Sequence, residues 1–202
     1  MKMEKLSLGN FRCRAILNHA DGIPVVFLHG YTFTSEIWKK INALEALGPT
    51  IPYAALDMPY GMKSECNPKT RDPEANISLV ADAVLKIFGQ TEPIIVGASL
   101  GGYIALEYAI RHPVSGLLLV APVRTDEGDL SSNLDRLTVP VFIVYGSEDN
   151  IVALREMKQL SHRLPNSKLV VYEKAAHPAY LSRPDYFKRD LLKLYDMVSE
   201  RI

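Results

Sequence analysis

The run Pro93-Ile94-Ile95-Val96-Gly97-Ala98-Ser99-Leu100-Gly101-Gly102 decides the fold of this chain. Its first four residues read as a short apolar strand, and the residues from Leu100 to Arg111 read as a helix. Between them lies G-x-S-x-G, in the strand, tight turn and helix context that this pattern requires. Such a turn forces the serine into a strained backbone conformation. Larger flanking side chains would collide with strand and helix, and the flanking residues here are small: Gly97, Ala98, Gly101 and Gly102. The N–H groups at the helix start lie beneath the serine and favour developing negative charge. A chain of this composition gives about 0.05 chance matches to the pattern, so its placement between strand and helix is the stronger signal. The competing reading is that the glycines serve only close packing of helix on strand.

Working outward, short apolar runs alternate with longer amphipathic ones. Val25–Leu28, Ile51–Leu56, Ile94–Val96, Leu117–Val120, Val141–Tyr145 and Leu169–Tyr172 read as strands buried on both faces. Phe11–Ala15 alternates apolar and basic residues, as a half-exposed edge strand does. Ile37, Ile41, Leu44 and Leu47 keep helical spacing, with Thr34 or Ser35 as cap and Gly48-Pro49 as stop. Asp72-Pro73-Glu74 opens another helix, ended by Gly89. Ile151, Leu154, Met157, Leu160 and Leu164 mark a third stripe, and Pro184 opens a last helix carrying Phe187, Leu191, Leu194 and Val198. The expected class is α/β, a three-layer α/β/α sandwich on a mostly parallel sheet of about seven to eight strands. In such sheets chemistry sits at the carboxyl ends of the strands.

The 202 residues fit a single domain, 1–202, with no repeat or linker to divide them. Hydrophobic residues are 48% and charged residues 23%, ordinary globular values that argue against disorder. Basic and acidic residues number 23 each, which removes the usual electrostatic footprint of a nucleic-acid or anionic-membrane binder. Cys13 and Cys66 are too few for a disulfide framework or a Cys-rich zinc site and read as free buried thiols. The first residues carry no continuous apolar stretch, and the weakly polar run Pro93–Leu106 is too short to span a bilayer. A cytoplasmic protein with no nucleic-acid or membrane partner is the expectation.

Serine is a weak nucleophile and needs a base. In this strand–turn–helix setting the partners follow in the order acid, then histidine. Val141–Tyr145 leads into Gly146-Ser147-Glu148-Asp149; Asp149 is the candidate acid, with Glu148 in reserve and an N-cap role for Asp149 as the alternative. His177 follows Leu169–Tyr172 in a loop, and Pro178 biases it towards an extended backbone. His112 ends a helix, His162 lies within one and His19 sits in a turn, so His177 alone combines order and position. An oxyanion needs two donors. One is the N–H of Leu100, and the other is assigned to Tyr31, after His29-Gly30 at the end of the first buried strand. His29 itself reads as a structural anchor of that loop.

Taken together, His29-Gly30, Gly97-Ala98-Ser99-Leu100-Gly101, Asp149 and His177 resemble the α/β-hydrolase superfamily over nearly the whole chain. Phe33–Trp38, Val120–Val123 and His177–Leu181 are similar to the small, lid-less α/β-hydrolase-domain-containing-14 family. That resemblance implies an eight-stranded, mainly parallel sheet, a Ser99-Asp149-His177 triad and a protein partner. One departure is Asp57-Met58-Pro59-Tyr60-Gly61-Met62-Lys63-Ser64, where superfamily members often have Asp-x-Pro-Gly-x-Gly-x-Ser. Tyr60 and Met62 fill the usual glycine positions, which puts the shape of this loop in question. Only Arg124–Thr138 separates two successive strands where many relatives insert a cap, leaving room for one short helix and an open site.

The expected chemistry is that of a serine hydrolase acting on a small or short-chain acyl ester through an acyl-Ser99 intermediate, with no metal or organic cofactor. Three alternatives remain at this stage: transfer of the acyl group to an acceptor other than water, a different superfamily reaction such as perhydrolysis, and an interaction module with an idle triad. Fold and triad do not name the substrate.

Overall fold

The structure, a computed structural model, describes residues 1–201, apart from the side chain of Ser131; Ile202, the last residue of the expected domain, lies outside the described residues. Nine strands form one sheet: β1 (Lys2–Leu8), β2 (Phe11–Asn18), β3 (Val25–Leu28), β4 (Tyr53–Leu56), β5 (Cys66–Asn67), β6 (Ile94–Ala98), β7 (Gly116–Val120), β8 (Val141–Gly146) and β9 (Ser167–Tyr172). Their spatial order is β1-β2-β4-β3-β6-β7-β8-β9, with β5 paired to β2. From β4 to β9 every neighbour is parallel, while β1, β2 and β5 pair antiparallel. The central strands are buried throughout, as continuous apolar runs between two helical layers must be.

The helices are α1 (Glu36–Lys40), α2 (Ala43–Ala46), α3 (Pro73–Phe88), α4 (Leu100–Ala109), α5 (Leu130–Asn133), α6 (Leu154–Arg163), α7 (Ala179–Ser182) and α8 (Pro184–Ser199). One core joins α3, α4 and α6 to a face of the sheet through residues such as Val80, Leu106 and Leu160. The other joins α1, α2, α7 and α8 to the opposite face through Trp38, Leu44, Tyr180 and Phe187. This is the three-layer α/β/α arrangement. Among the described residues, only α5 and a short 3-10 turn, Leu134–Arg136, stand between β7 and β8, with no cap over the sheet's carboxyl edge there.

Four local expectations are corrected. Phe11–Ala15 is not an edge, because β1 pairs with β2 from Phe11 to Leu17 through a two-residue turn at Gly9-Asn10, where Gly9 has φ +52°. Leu6 and Leu8 of β1 point inward, a signal diluted by the charged residues Lys2, Glu4 and Lys5 that precede them. Cys13 and Cys66 are not free thiols: β5 lies opposite β2 with the two residues in register, and they form a disulfide. The single helix expected over Ile37–Leu47 is broken into α1 and α2 at Asn42, whose φ of 57° is a left-handed conformation that asparagine tolerates. Lastly, α6 begins only at Leu154. Ile151, counted in its stripe, lies with Val152 in a bend before it.

Candidate active site

The elbow is built as its residue types dictate. Ser99 has φ 52° and ψ −114°, a strained conformation for a residue with a side chain. Its N–H donates to Val120 O at 2.8 Å, tying the turn to β7. A Cβ on Gly101 would stand 2.3 Å from Leu28 O, so only glycine lets α4 approach β3 this closely. Leu100 follows Ser99 as the first residue of α4. Among the described residues neither its N–H nor that of Tyr31 donates a hydrogen bond to the protein.

Tyr31 stands on a loop that the structure fixes from beneath. His29 is fully buried; its Nδ1 donates to Gly30 O at 2.8 Å, and its Nε2 accepts from Met58 N–H at 2.9 Å. Those roles require the neutral ring, and burial holds its pKa down at about 4. The Tyr60 hydroxyl donates to His29 O at 2.5 Å, and Met62 N–H donates to Tyr31 O at 2.8 Å. Tyr60 and Met62 are the residues at the departed glycine positions, so here they brace the loop that carries Tyr31. Deeper still, buried Asp57 accepts from Ser35 N–H at 2.7 Å and Glu65 N–H at 2.5 Å and pairs with Arg14 at 3.1 Å.

Across the site, Asp149 and His177 meet. Asp149 Oδ2 accepts from His177 Nδ1 at 2.8 Å, while Oδ1 accepts from Ile151 N–H at 2.8 Å and Val152 N–H at 3.0 Å. Asp149 therefore caps a loop turn; the N-cap residue of α6 is Ala153. Glu148, the reserve, is exposed. His177 Nε2 is buried without a hydrogen-bond partner. His177 and Ser99 line one cavity of about 330 Å³ with Gly30, Tyr31, Phe33 and Tyr180 among its walls. His19, His112 and His162 lie elsewhere: His112 stacks on Tyr108 and His162 bonds Lys158 O.

Two contributors were missed by sequence reasoning. Ile151 lines the cavity from its turn. Gly146 lets the loop carrying His177 cross the end of β8, because a Cβ there would lie 2.3 Å from Ala175 O. A glycine ending a strand was the available signal. Among the described residues no group of three or more His, Cys, Asp or Glu could hold a metal ion, and no helix is long and apolar enough to cross a membrane.

A doubly wound sheet with a strained serine after one central strand, at the point where strand order reverses, defines a class, and sequence comparison agrees. The chain belongs to the alpha/beta hydrolase family, whose profile matches residues 25–134; the alpha/beta hydrolase fold profile matches residues 124–184. Among curated proteins it is 32% identical over 183 residues to Protein ABHD14A of Homo sapiens, covering 89% of this chain and 66% of that protein. The chain thus spans about two thirds of that relative's length. It is 30% identical over 174 residues to the putative protein-lysine deacylase ABHD14B of Rattus norvegicus, covering 83% of this chain and 80% of that protein. Among solved structures, a CIB-like hydrolase from Thermoplasma acidophilum superposes with TM-score 0.83 at 24% identity over 98% of this chain and 97% of the other. An esterase from Thermogutta terrifontis gives 0.81 at 15% identity over 98% and 100%. These two likenesses speak for the fold.

Proposed function

We propose that the chain is a serine hydrolase that cleaves small or short-chain acyl esters through an acyl-Ser99 intermediate. The observation that carries this reading is the Asp149–His177 hydrogen bond together with a buried, unpartnered His177 Nε2 beside the cavity that Ser99 lines. Ser99 Oγ attacks the acyl carbonyl carbon while His177 Nε2 takes its proton. Asp149 holds the His177 tautomer and stabilises the imidazolium. The N–H groups of Leu100 and Tyr31 receive the oxyanion. The imidazolium then protonates the leaving alkoxide, and water, deprotonated by His177, releases the acid and frees Ser99.

The cavity's size and apolar walls suit a short acyl chain. The uncapped edge also admits an acyl group presented on a larger molecule, and a relative's printed name, putative protein-lysine deacylase, favours an acyl-lysine as a second substrate form. The test is labelling with a fluorophosphonate followed by mass spectrometry of the wild type, Ser99→Ala and His177→Ala. One adduct on Ser99, lost in both variants, is expected. Acetyl, butyryl and octanoyl esters, and an acetyl-lysine peptide, then rank the acyl group and its carrier. A folded wild type that takes no label and turns over none of these substrates overturns the reading.

A further inference from the structure

Beside the Ser99 cavity lies a second one of about 290 Å³, which shares Tyr31 with it and is otherwise lined by Pro59, Tyr60, Gly61, Met62, Lys69, Thr70 and Arg71. None of its walls is acidic, and two are cationic. Four arginines elsewhere pair with carboxylates, Arg14 with Asp57, Arg111 with Glu74, Arg124 with Glu127 and Arg189 with Asp190, while Arg163 and Arg183 donate to backbone carbonyls. Among the described residues Lys69 and Arg71 have no carboxylate partner at ion-pair distance, so two positive charges face one cavity.

The two cations are placed differently. Lys69 Nζ donates to Gly61 O at 2.9 Å, to Ser64 Oγ at 2.7 Å and to Ser64 O, so all three of its protons are committed and it contributes a fixed charge. Partial burial holds the Lys69 pKa below its ordinary value, with the charge of Asp57 acting against that shift. An anion in the cavity would offset this cost. The Arg71 guanidinium lies 4.6 Å from the centroid of the Tyr31 ring and donates one N–H to the Tyr31 hydroxyl. The rest of its planar fork is unused among the described residues, and that fork matches a carboxylate or phosphate. Tyr31 is the residue whose N–H is assigned to the oxyanion. Its main chain therefore belongs to one cavity and its ring to the other.

We infer that Lys69 and Arg71 form an anion subsite of the active site, which takes a carboxylate or phosphate carried by the ester substrate. This rests on the hydrolase reading above and narrows it to anionic esters. Arg71 supplies the directed hydrogen bonds and Lys69 the field.

The test compares matched esters that differ only in charge. In one arm the charge is on the leaving group: 4-acetoxybenzoate against its methyl ester. In the other it is on the acyl group: monomethyl succinate against dimethyl succinate. Wild type is expected to favour the charged member of one arm by about tenfold in kcat/KM, through KM, and to lose that preference in 0.5 M NaCl. The arm that responds says which end of the substrate enters the subsite. Arg71→Met abolishes the ratio, and Arg71→Lys keeps only part of it, because a point charge replaces the fork. Equal kcat/KM for charged and neutral members in both arms overturns the inference while leaving the hydrolase reading intact. If no ester is turned over, titration of monomethyl succinate and inorganic phosphate onto Ser99→Ala by calorimetry still decides. Saturable binding that Arg71→Met removes supports the subsite, and no binding of either anion overturns it.

Discussion

The two flanks of Ser99 are built by opposite means. On the β3 and β4 side the groups beneath Tyr31 are buried and tied together by hydrogen bonds: His29, Asp57 and Ser35 lie at 0% exposure, the Ser35 N–H donates to Asp57, and Tyr60 closes the stack. On the β8 and β9 side Asp149 and His177 stand on loops whose neighbours Glu148, Asn150, Ile151 and Ala176 are exposed. The first flank presents backbone N–H groups, which work only if the main chain does not move. The second presents a side chain that, in the proposed mechanism, changes protonation state during turnover and therefore depends on one good partner. The contrast teaches that rigidity here is allotted by the kind of group being offered, not by nearness to the nucleophile.

That contrast predicts activity without stability on one flank and stability on the other. Asp149→Asn should lower kcat by about 10⁴, since the amide would no longer hold the required His177 tautomer, yet leave the melting temperature within a few degrees. Steady-state kinetics beside calorimetry checks both halves, and a comparable loss of stability would erase the distinction. Asp57→Asn should do the reverse. Removing the buried one of the three carboxylates around Arg14 and placing an amide against Glu65 N–H should cost about 3 kcal/mol in urea unfolding.

His29 sharpens the comparison through pH. Its native pKa of about 4 lies below the ordinary 6.5, so the unfolded chain takes up the proton first as pH falls. The stability this provides is complete above about pH 6.5 and drains away towards pH 4. Thermal melts of the wild type should therefore fall over that window. His29→Gln should be less stable at pH 7 by about 2 kcal/mol and show a flatter acid response. A wild-type melt that is flat from pH 7 to 4.5 would remove His29 from the account. The smallest effect is expected from Tyr60→Phe, about 1 kcal/mol, because the hydroxyl's bond to His29 O is lost while the ring's packing stays.

Much of this was legible in the chain itself, for identifiable reasons. The elbow announces itself through four small residues around Ser99, and the central strands through uninterrupted apolar runs. Asp72 and Pro73 mark the start of α3, where Asp72 Oδ2 accepts from Ala75 N–H. What stayed hidden depends on distant neighbours. Strand β1 shows too few apolar residues to read alone and is stabilised by pairing with β2. The Cys13–Cys66 disulfide joins residues 53 apart, and no local pattern records their register. Asn42 carries no mark of its left-handed turn beyond being asparagine. Ile151 fits the stripe of α6, but Asp149 takes its N–H and turns the residue into a wall of the cavity. The single acidic side chain thus sets both a histidine and a boundary, which spacing alone does not reveal.

The short connection between β7 and β8 has one more consequence. It leaves the sheet at the edge where Val120 borders the cavity and is stapled to α6 by Arg163, which donates to Thr125 O at 3.3 Å and to Leu130 O. Closing a loop twice as long costs only about 0.6 kcal/mol more in chain entropy. This stretch is therefore a natural graft point: descendants of such a chain could acquire a new roof there by insertion, altering which molecules enter while Ser99, Asp149, His177 and their scaffold are inherited unchanged.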